Sequence, residues 1–88
     1  MTTVGRVGKD EGIYIGRPSV FGNPFKIGRD GDRGQVIEKY RRYFSDRVAK
    51  DEAFRVAVEG LKGKKLLCYC HPRACHGDVI AEYLNGRG

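Results

Sequence analysis

All the thiols and imidazoles of this chain fall within one short segment. The stretch LLCYCHPRACHGDVI, residues 66–80, contains the three cysteines and both histidines of an 88-residue chain. Thiols and imidazoles bind metal ions, act as nucleophiles or bases, and form redox pairs. The clustering therefore predicts a functional site in this segment and leaves its chemistry open.

A metal site is the first possible chemistry. The segment contains the pattern C-x-C-x4-C-H, formed by Cys68, Cys70, Cys75 and His76. Three thiolates and one imidazole are a possible set of ligands for a tetrahedral zinc ion. Against this interpretation, a C-x-C pair on an extended strand splays its sulfur atoms, whereas zinc knuckles space their pairs more widely. Cys68 also follows Leu66 and Leu67, so it is equally interpreted as a small buried apolar residue.

Nucleophilic catalysis by Cys75 is the second possible chemistry. A helix is expected to begin here, and the unpaired N–H groups of a helix N-terminus favour the thiolate. Arg73 and the two histidines would lower the thiol pKa further, so we expect Cys75 to be accessible and reactive. His76 or Asp78 would then act as acid or base.

The same helix start has interpretations that involve no reaction. Its N–H groups can hold a phosphate, with Gly77 allowing a close approach of the ligand. Asp78 is then a first-turn acid that pairs with the helix dipole, and His76 is a helix cap. Both interpretations stay open at this point.

A loop rich in Gly and Pro carries the second set of candidates. Residues 16–34, GRPSVFGNPFKIGRDGDRG, contain five of the 13 glycines and two of the 3 prolines, which excludes a regular helix. Arg17 suits a phosphate or carboxylate, Asn23 can read a base edge or hydroxyl, and Phe21 or Phe25 can stack on a ring. Each also has a structural interpretation: Arg17 as a solvated side chain, Asn23 as a residue that only holds the turn, and Phe25 as part of the core. The residues expected to contact a ligand are Gly16, Arg17, Pro18, Gly22, Asn23 and Pro24 in this loop, and Cys70, Pro72 and Gly77 in the Cys–His segment.

Regular elements must position these two segments. Alternating and periodic apolar residues predict strands over 2–7, 13–16 and 64–70 and helices over 32–46, 51–63 and 75–85. Asp32 and Gln35 have the spacing of a capping box, and Asp51 can cap the second helix. The second helix is expected to bury Phe54, Ala57, Val58 and Leu61. We therefore predict one small α/β domain over residues 1–88, a three-stranded sheet packed with three helices.

The order of elements places both candidate segments at one end of the sheet. The glycine-rich loop follows the second strand, and the Cys–His segment follows the third. Sites in open α/β sheets form beyond the carboxyl ends of strands. We expect the two loops to converge there.

Taken together, the motifs resemble a known family. GRPSVFGNPF and CYCHPRACHGD, with VIEKYRRYF between them, are similar to small bacterial and phage proteins known as domain of unknown function 4326, over roughly residues 14–85. The resemblance implies that its signature residues matter, and it leaves the reaction open. His71 lies outside the pattern, which weakens any role for it. The signature falls on Gly16, Arg17, Pro18, Gly22, Asn23, Pro24 and Phe25, and on Cys68, Cys70, Pro72, Cys75, His76, Gly77 and Asp78.

Charge and composition limit the classes of partner and the cellular location that we expect. The net charge is +6, which favours an anionic partner, either a phosphorylated small molecule or a nucleic acid. No apolar stretch is long enough for a membrane span or resembles a signal peptide, so we expect a cytoplasmic protein with reduced thiols. Two hypotheses follow: a nucleotide-type site between the two loops, with or without catalysis by Cys75, or a zinc-stabilised adaptor that binds nucleic acid or protein without enzymatic activity.

Overall fold

A central strand of buried residues organises the fold. In the computed structural model, which describes residues 1–17, 19–69 and 73–86, the strands are β1 (Thr3–Arg6), β2 (Ile13–Tyr14) and β3 (Lys65–Cys68). β3 lies between the other two and pairs with both in parallel. Its last three residues form a continuous buried run, which is typical of a parallel strand covered on both faces.

The helices are α1 (Arg33–Lys50), α2 (Glu52–Glu59) and α3 (His76–Gly86). Across the described part of the chain, three helices and a three-stranded parallel sheet form a single α/β domain, which confirms the predicted fold class. None of the helices described is long and apolar enough to cross a membrane.

The predicted caps set the helix starts. The Gln35 N–H donates to Asp32 Oδ1 over 2.8 Å, and the Asp32 N–H donates back to Gln35 Oε1 over 2.9 Å, which is the complete capping box. Asp51 accepts from the Phe54 N–H over 3.0 Å at the start of α2. Local side-chain chemistry therefore determines where α1 and α2 begin.

The helix ends differ from the prediction. α1 continues to Lys50 because no residue before Asp51 breaks it, and Val48 adds a buried position one turn beyond Phe44. α2 stops at Glu59, and the turn that follows reaches Gly63, whose φ of 81° suits glycine. The predicted burial of Ala57 is wrong: this short helix buries Phe54 and Val58, four residues apart, and Ala57 is exposed.

Candidate functional site

The loops that follow β2 and β3 meet at the carboxyl end of the sheet, as expected from their order, and the start of α1 completes the enclosure. Between them lies a cleft of about 580 Å³, hereafter the cleft. Its lining residues are Tyr14, Gly16, Arg17, Asn23, Phe25, Lys26, Ile27, Arg33, Val36, Ile37, Cys68, Tyr69, Ala74, Cys75 and His76.

The sequence-predicted site residues divide into three groups. Those that line the cleft are Gly16, Arg17, Asn23, Cys68, Cys75 and His76. Four further residues are described by the structure but do not line the cleft: Gly22, Pro24, Gly77 and Asp78. Those that lie outside the described residues are Pro18, Cys70, His71 and Pro72.

The imidazole of His76 is held in one orientation at the first residue of α3. Its Nε2 atom lies 2.9 Å from the carbonyl oxygen of Ile15, and its ring meets that of Tyr40 edge-on at 5.2 Å between centroids. Burial lowers the pKa of His76, and the positive charge of Arg17 acts in the same direction, so the ring is neutral at pH 7. A carbonyl only accepts hydrogen bonds, so Nε2 carries the proton and Nδ1 carries the lone pair.

The expected solvent access of Cys75 is contradicted. The residue is 3% exposed, and its Sγ atom lies 3.0 Å from that of Cys68. The hydrogen bond with the Cys68 thiol, together with burial, raises the pKa of Cys75. The backbone N–H of Gly77 does bond the sulfur and favours the thiolate, as helix-terminus chemistry predicts. Thiol contact and burial outweigh that effect, so Cys75 is a protonated thiol at neutral pH.

Cys75 and Asp78 together cap α3. The Cys75 N–H donates to Asp78 Oδ2 over 3.1 Å, and the Asp78 N–H donates to the Cys75 carbonyl oxygen over 3.1 Å. With Cys75 before the first helical residue, this is the side-chain-to-backbone half of a capping box. The cap is therefore Cys75 rather than His76, and the Asp78 carboxylate is engaged in the helix start.

Asn23 is also engaged within the chain. Its Oδ1 accepts from the Phe25 N–H over 2.9 Å, and its Nδ2 donates to the Val36 carbonyl oxygen over 3.3 Å. The Nδ2 bond joins the loop to α1, and the Oδ1 bond holds the turn within the loop, which is the turn-holding role that the sequence also allows. Asn23 therefore holds the glycine-rich loop in place as one side of the cleft. A contact of Asn23 with a base edge stays a prediction.

Two glycines have structural reasons other than the predicted ones. Gly22 does not have a positive φ, so it needs no unusual conformation; an added Cβ would meet the Arg17 backbone, with its Cα at 3.1 Å. Gly77 is buried, and an added Cβ would lie 2.9 Å from Ile15 Cδ1 and 3.5 Å from Val4 Cγ1. Its small size lets α3 approach the strands rather than letting a ligand approach α3.

The zinc set is not assembled in the described residues. The sulfur atoms of Cys68 and Cys75 are 3.0 Å apart. Two thiolates on one tetrahedral zinc ion are separated by about 3.8 Å, as follows from Zn–S bonds of about 2.3 Å. Over residues 1–17, 19–69 and 73–86, no group of three or more His, Cys, Asp or Glu side chains could hold a metal ion. Because Cys70 lies outside these ranges, a zinc site that includes it stays a prediction.

Sequence reasoning missed two cations of the cleft, Lys26 and Arg33. Arg33 is the first residue of α1, and its Nη1 donates to the Ala74 carbonyl oxygen over 3.2 Å, which links α1 to the loop before α3. One signal was available in the sequence. A basic residue in the first turn of a helix is unfavourable for the dipole, so Arg33 directly after the Asp32 cap is a position that invites a functional explanation.

Comparison with known proteins agrees with the motif resemblance. A protein of Enterobacteria phage T4, named "Uncharacterized 12.4 kDa protein in nrdA-td intergenic region", is 35% identical over 83 residues, which cover 93% of this chain and 75% of that protein. No solved structure matches the chain significantly. A family model matches residues 2–86, nearly the whole chain. The chain therefore belongs to the family described as Domain of unknown function (DUF4326).

Proposed function

We propose that the cleft binds a nucleotide-type small molecule through its phosphate. The single observation that carries the proposal is the charge of the lining: Arg17, Lys26 and Arg33 contribute three cations, and no Asp or Glu is present among the described lining residues. Among the residues that the structure describes, neither the Arg17 guanidinium nor the Lys26 ammonium has an ion-pair partner. A phosphate would supply the missing negative charge, and Arg17 offers it a fork of donors.

Aromatic and apolar side chains of the lining favour a nucleobase as the rest of the ligand. Phe25 is half-buried in the lining, while Tyr69 and Ile27 are 66% and 54% exposed, which is unusual for large apolar side chains. The Tyr14 and Tyr69 rings meet edge-on at 5.9 Å between centroids, so Tyr14 supports Tyr69 from one side. Aromatic faces stack on nucleobases of any sequence. The lining of the cleft thus combines cations with aromatic and apolar side chains.

The size of the cleft favours a small ligand over a nucleic-acid strand. At about 580 Å³ it lies within the range of about 300–1,000 Å³ that is usual for small-molecule sites. A strand of nucleic acid would instead need basic residues along an extended path. The proposal is a binding function in the cytosol, and it assigns Cys75 to the cap of α3, because a protonated buried thiol is a poor nucleophile.

Ligand-dependent thermal stability tests the proposal. ADP, ADP-ribose and a cyclic dinucleotide are each added to the full chain, and the unfolding transition is followed by circular dichroism. Ligand at 100 times its dissociation constant should add about 2.7 kcal/mol to the free energy of unfolding. Stabilisation by a single-stranded oligonucleotide in the absence of any effect from these three compounds would reject the small-molecule site in favour of nucleic-acid binding.

A matched pair of variants locates the site. Arg17→Gln removes a charge from the cleft, and Lys64→Gln removes one just before β3, at the opposite end of the sheet. We expect Arg17→Gln to weaken binding about 10-fold or more, since a hydrogen bond to a charged group contributes about 1.5–3 kcal/mol. Lys64→Gln should leave the affinity nearly unchanged. Equal losses in both variants would indicate attraction by net charge alone.

A further inference from the structure

The hydrogen bond between His76 and Ile15 leaves a specific polar atom for the ligand. Because the Nε2–H group donates to the carbonyl oxygen of Ile15, Nδ1 is an acceptor that has no hydrogen-bond partner among the described residues. The residue is 9% exposed and lines the cleft at the start of α3. The lone pair of Nδ1 is therefore available to a hydrogen-bond donor of a ligand in the cleft.

The donor cannot be the phosphate itself. A phosphate beside Arg17, Lys26 and Arg33 would be fully ionised, and its oxygens would only accept hydrogen bonds. The group that meets His76 must therefore carry an O–H or N–H, as a sugar hydroxyl or a base amine does. The three cations and the neutral imidazole thus make different demands on the ligand.

We infer that His76 Nδ1 accepts a hydrogen bond from a hydroxyl or amine of the ligand, so that the cleft selects nucleotides over plain phosphate compounds. This inference rests on the proposed function and specifies its ligand class. It makes His76 a specificity-determining residue for the organic part of the ligand, while the cations bind any compound with the same phosphate groups.

Two probes that both contain a diphosphate separate phosphate binding by the cations from the hydrogen bond to His76 Nδ1. The affinities of ADP and of inorganic pyrophosphate are measured by NMR titration of the full chain. The variant His76→Gln removes Nδ1 and keeps an amide that can donate to Ile15. We expect it to weaken ADP binding about 5- to 10-fold and to leave pyrophosphate binding unchanged, as the loss of one hydrogen bond predicts. In His76→Asn, the amide oxygen Oδ1 lies near the former position of Nδ1. This variant should therefore prefer ADP over pyrophosphate more strongly than His76→Gln does.

The outcomes separate the inference from the proposed function. If neither ADP nor pyrophosphate binds the unmodified chain, the proposed function fails and the inference fails with it. If both bind and His76→Gln weakens them equally, the inference alone is overturned, because His76 then only supports the fold. Circular dichroism of each variant establishes that it is folded before its affinities are compared.

The thiols of Cys68 and Cys75 carry a second inference, which does not depend on the ligand. Their Sγ atoms face each other at 3.0 Å in the protein interior, about 1 Å beyond the length of a disulfide bond. We infer that a low-molecular-weight disulfide, such as glutathione disulfide, converts this pair into a Cys68–Cys75 disulfide. Both S–H bonds break and one S–S bond forms, and two electrons and two protons pass to glutathione disulfide, which leaves as two glutathione thiols.

Serine variants identify the partners of this bond. Each chain is equilibrated with glutathione disulfide at about pH 8.5, and intrachain cross-links are identified by mass spectrometry without reduction. We expect Cys70→Ser, which keeps the close pair, to reach an oxidised-to-reduced ratio at least about tenfold higher than Cys68→Ser. Fragmentation of the cross-linked peptides from the unmodified chain assigns the bond independently of folding defects. A bond between Cys70 and Cys75 in its place, or glutathione adducts without a cross-link, would overturn the inference.

Discussion

The Nε2 atom of His76 donates a hydrogen bond of 2.9 Å to the carbonyl oxygen of Ile15, and this contact joins the first turn of α3 to the residue that follows β2. It connects the two loops that form the cleft, and it determines which nitrogen of the ring carries the proton. The protonation of His76 is therefore tied to the stability of the whole site.

The first prediction concerns stability in mild acid. Burial holds the pKa of His76 below its usual value of 6.5, so the folded chain binds this proton less readily than the unfolded chain. The free energy of unfolding should therefore be fully maintained above about pH 6.5 and fall as the pH drops toward the folded-state pKa, by at most about 1.4 kcal/mol per pH unit. Urea unfolding at about pH 7.5, 6.5 and 5.5 measures this dependence.

Variants assign that acid dependence to one histidine. We expect His76→Gln to flatten the dependence between about pH 6.5 and 5.5, because the ring that titrates is gone. His71→Gln removes the other histidine of the chain and should leave the dependence in place. An undiminished loss of stability in His76→Gln would contradict the assignment.

The second prediction concerns the accessibility of the thiols. Cys68 and Cys75 are each 3% exposed, so iodoacetamide should modify them only when the chain opens. An opening free energy of about 3 kcal/mol slows labelling about 100-fold relative to the unfolded chain. Peptide mapping with and without denaturant measures the two rates at each position. Rapid modification of Cys75 in the folded chain would show that the thiol is exposed after all.

The third prediction concerns the cap of α3. Asp78→Ala removes the carboxylate that accepts from the Cys75 N–H, and loss of such a cap contact costs about 1 kcal/mol. Glu82→Gln on the same helix removes an exposed ion pair with Arg41, which should contribute less than about 0.5 kcal/mol. Urea unfolding compares the two variants. Equal effects would mean that the Asp78 contact does not stabilise the helix start.

The fourth prediction concerns the close approach of α3 to the strands. In Gly77→Ala the new methyl group would lie 2.9 Å from Ile15 Cδ1 and 3.3 Å from Cys75 Sγ, and Ile15 is fully buried and so has little room to move. Overpacking of this kind costs about 1–3 kcal/mol, which exceeds or cancels the gain of up to about 1 kcal/mol in helix propensity. Gly34→Ala in α1 is the matched control, since its Cβ would meet only Asp32 Oδ1 at 3.5 Å. That control should gain up to about 1 kcal/mol from helix propensity. Stabilisation by both substitutions would show that Gly77 has space around it.

Local chemistry explains why the elements could be predicted from the sequence. The Asp32–Gln35 capping box and the Asp51 cap act through contacts three residues apart, so their spacing in the sequence is sufficient to locate the helix starts. The order of strands and loops likewise placed the cleft, because the carboxyl ends of parallel strands lie at one edge of the sheet. These features depend on neighbours in the chain or on topology.

The protonation of the site was decided by tertiary structure alone. The helix-terminus argument predicts a reactive Cys75, but packing brings Cys68 to 3.0 Å and excludes water, and both effects favour the thiol. The proton position on His76 depends on Ile15, which is 61 residues away in the chain. Lys26 and Arg33 join Arg17 in one cleft for the same reason: distances between residues remote in sequence, and the exclusion of water around them, exist only once the chain has folded.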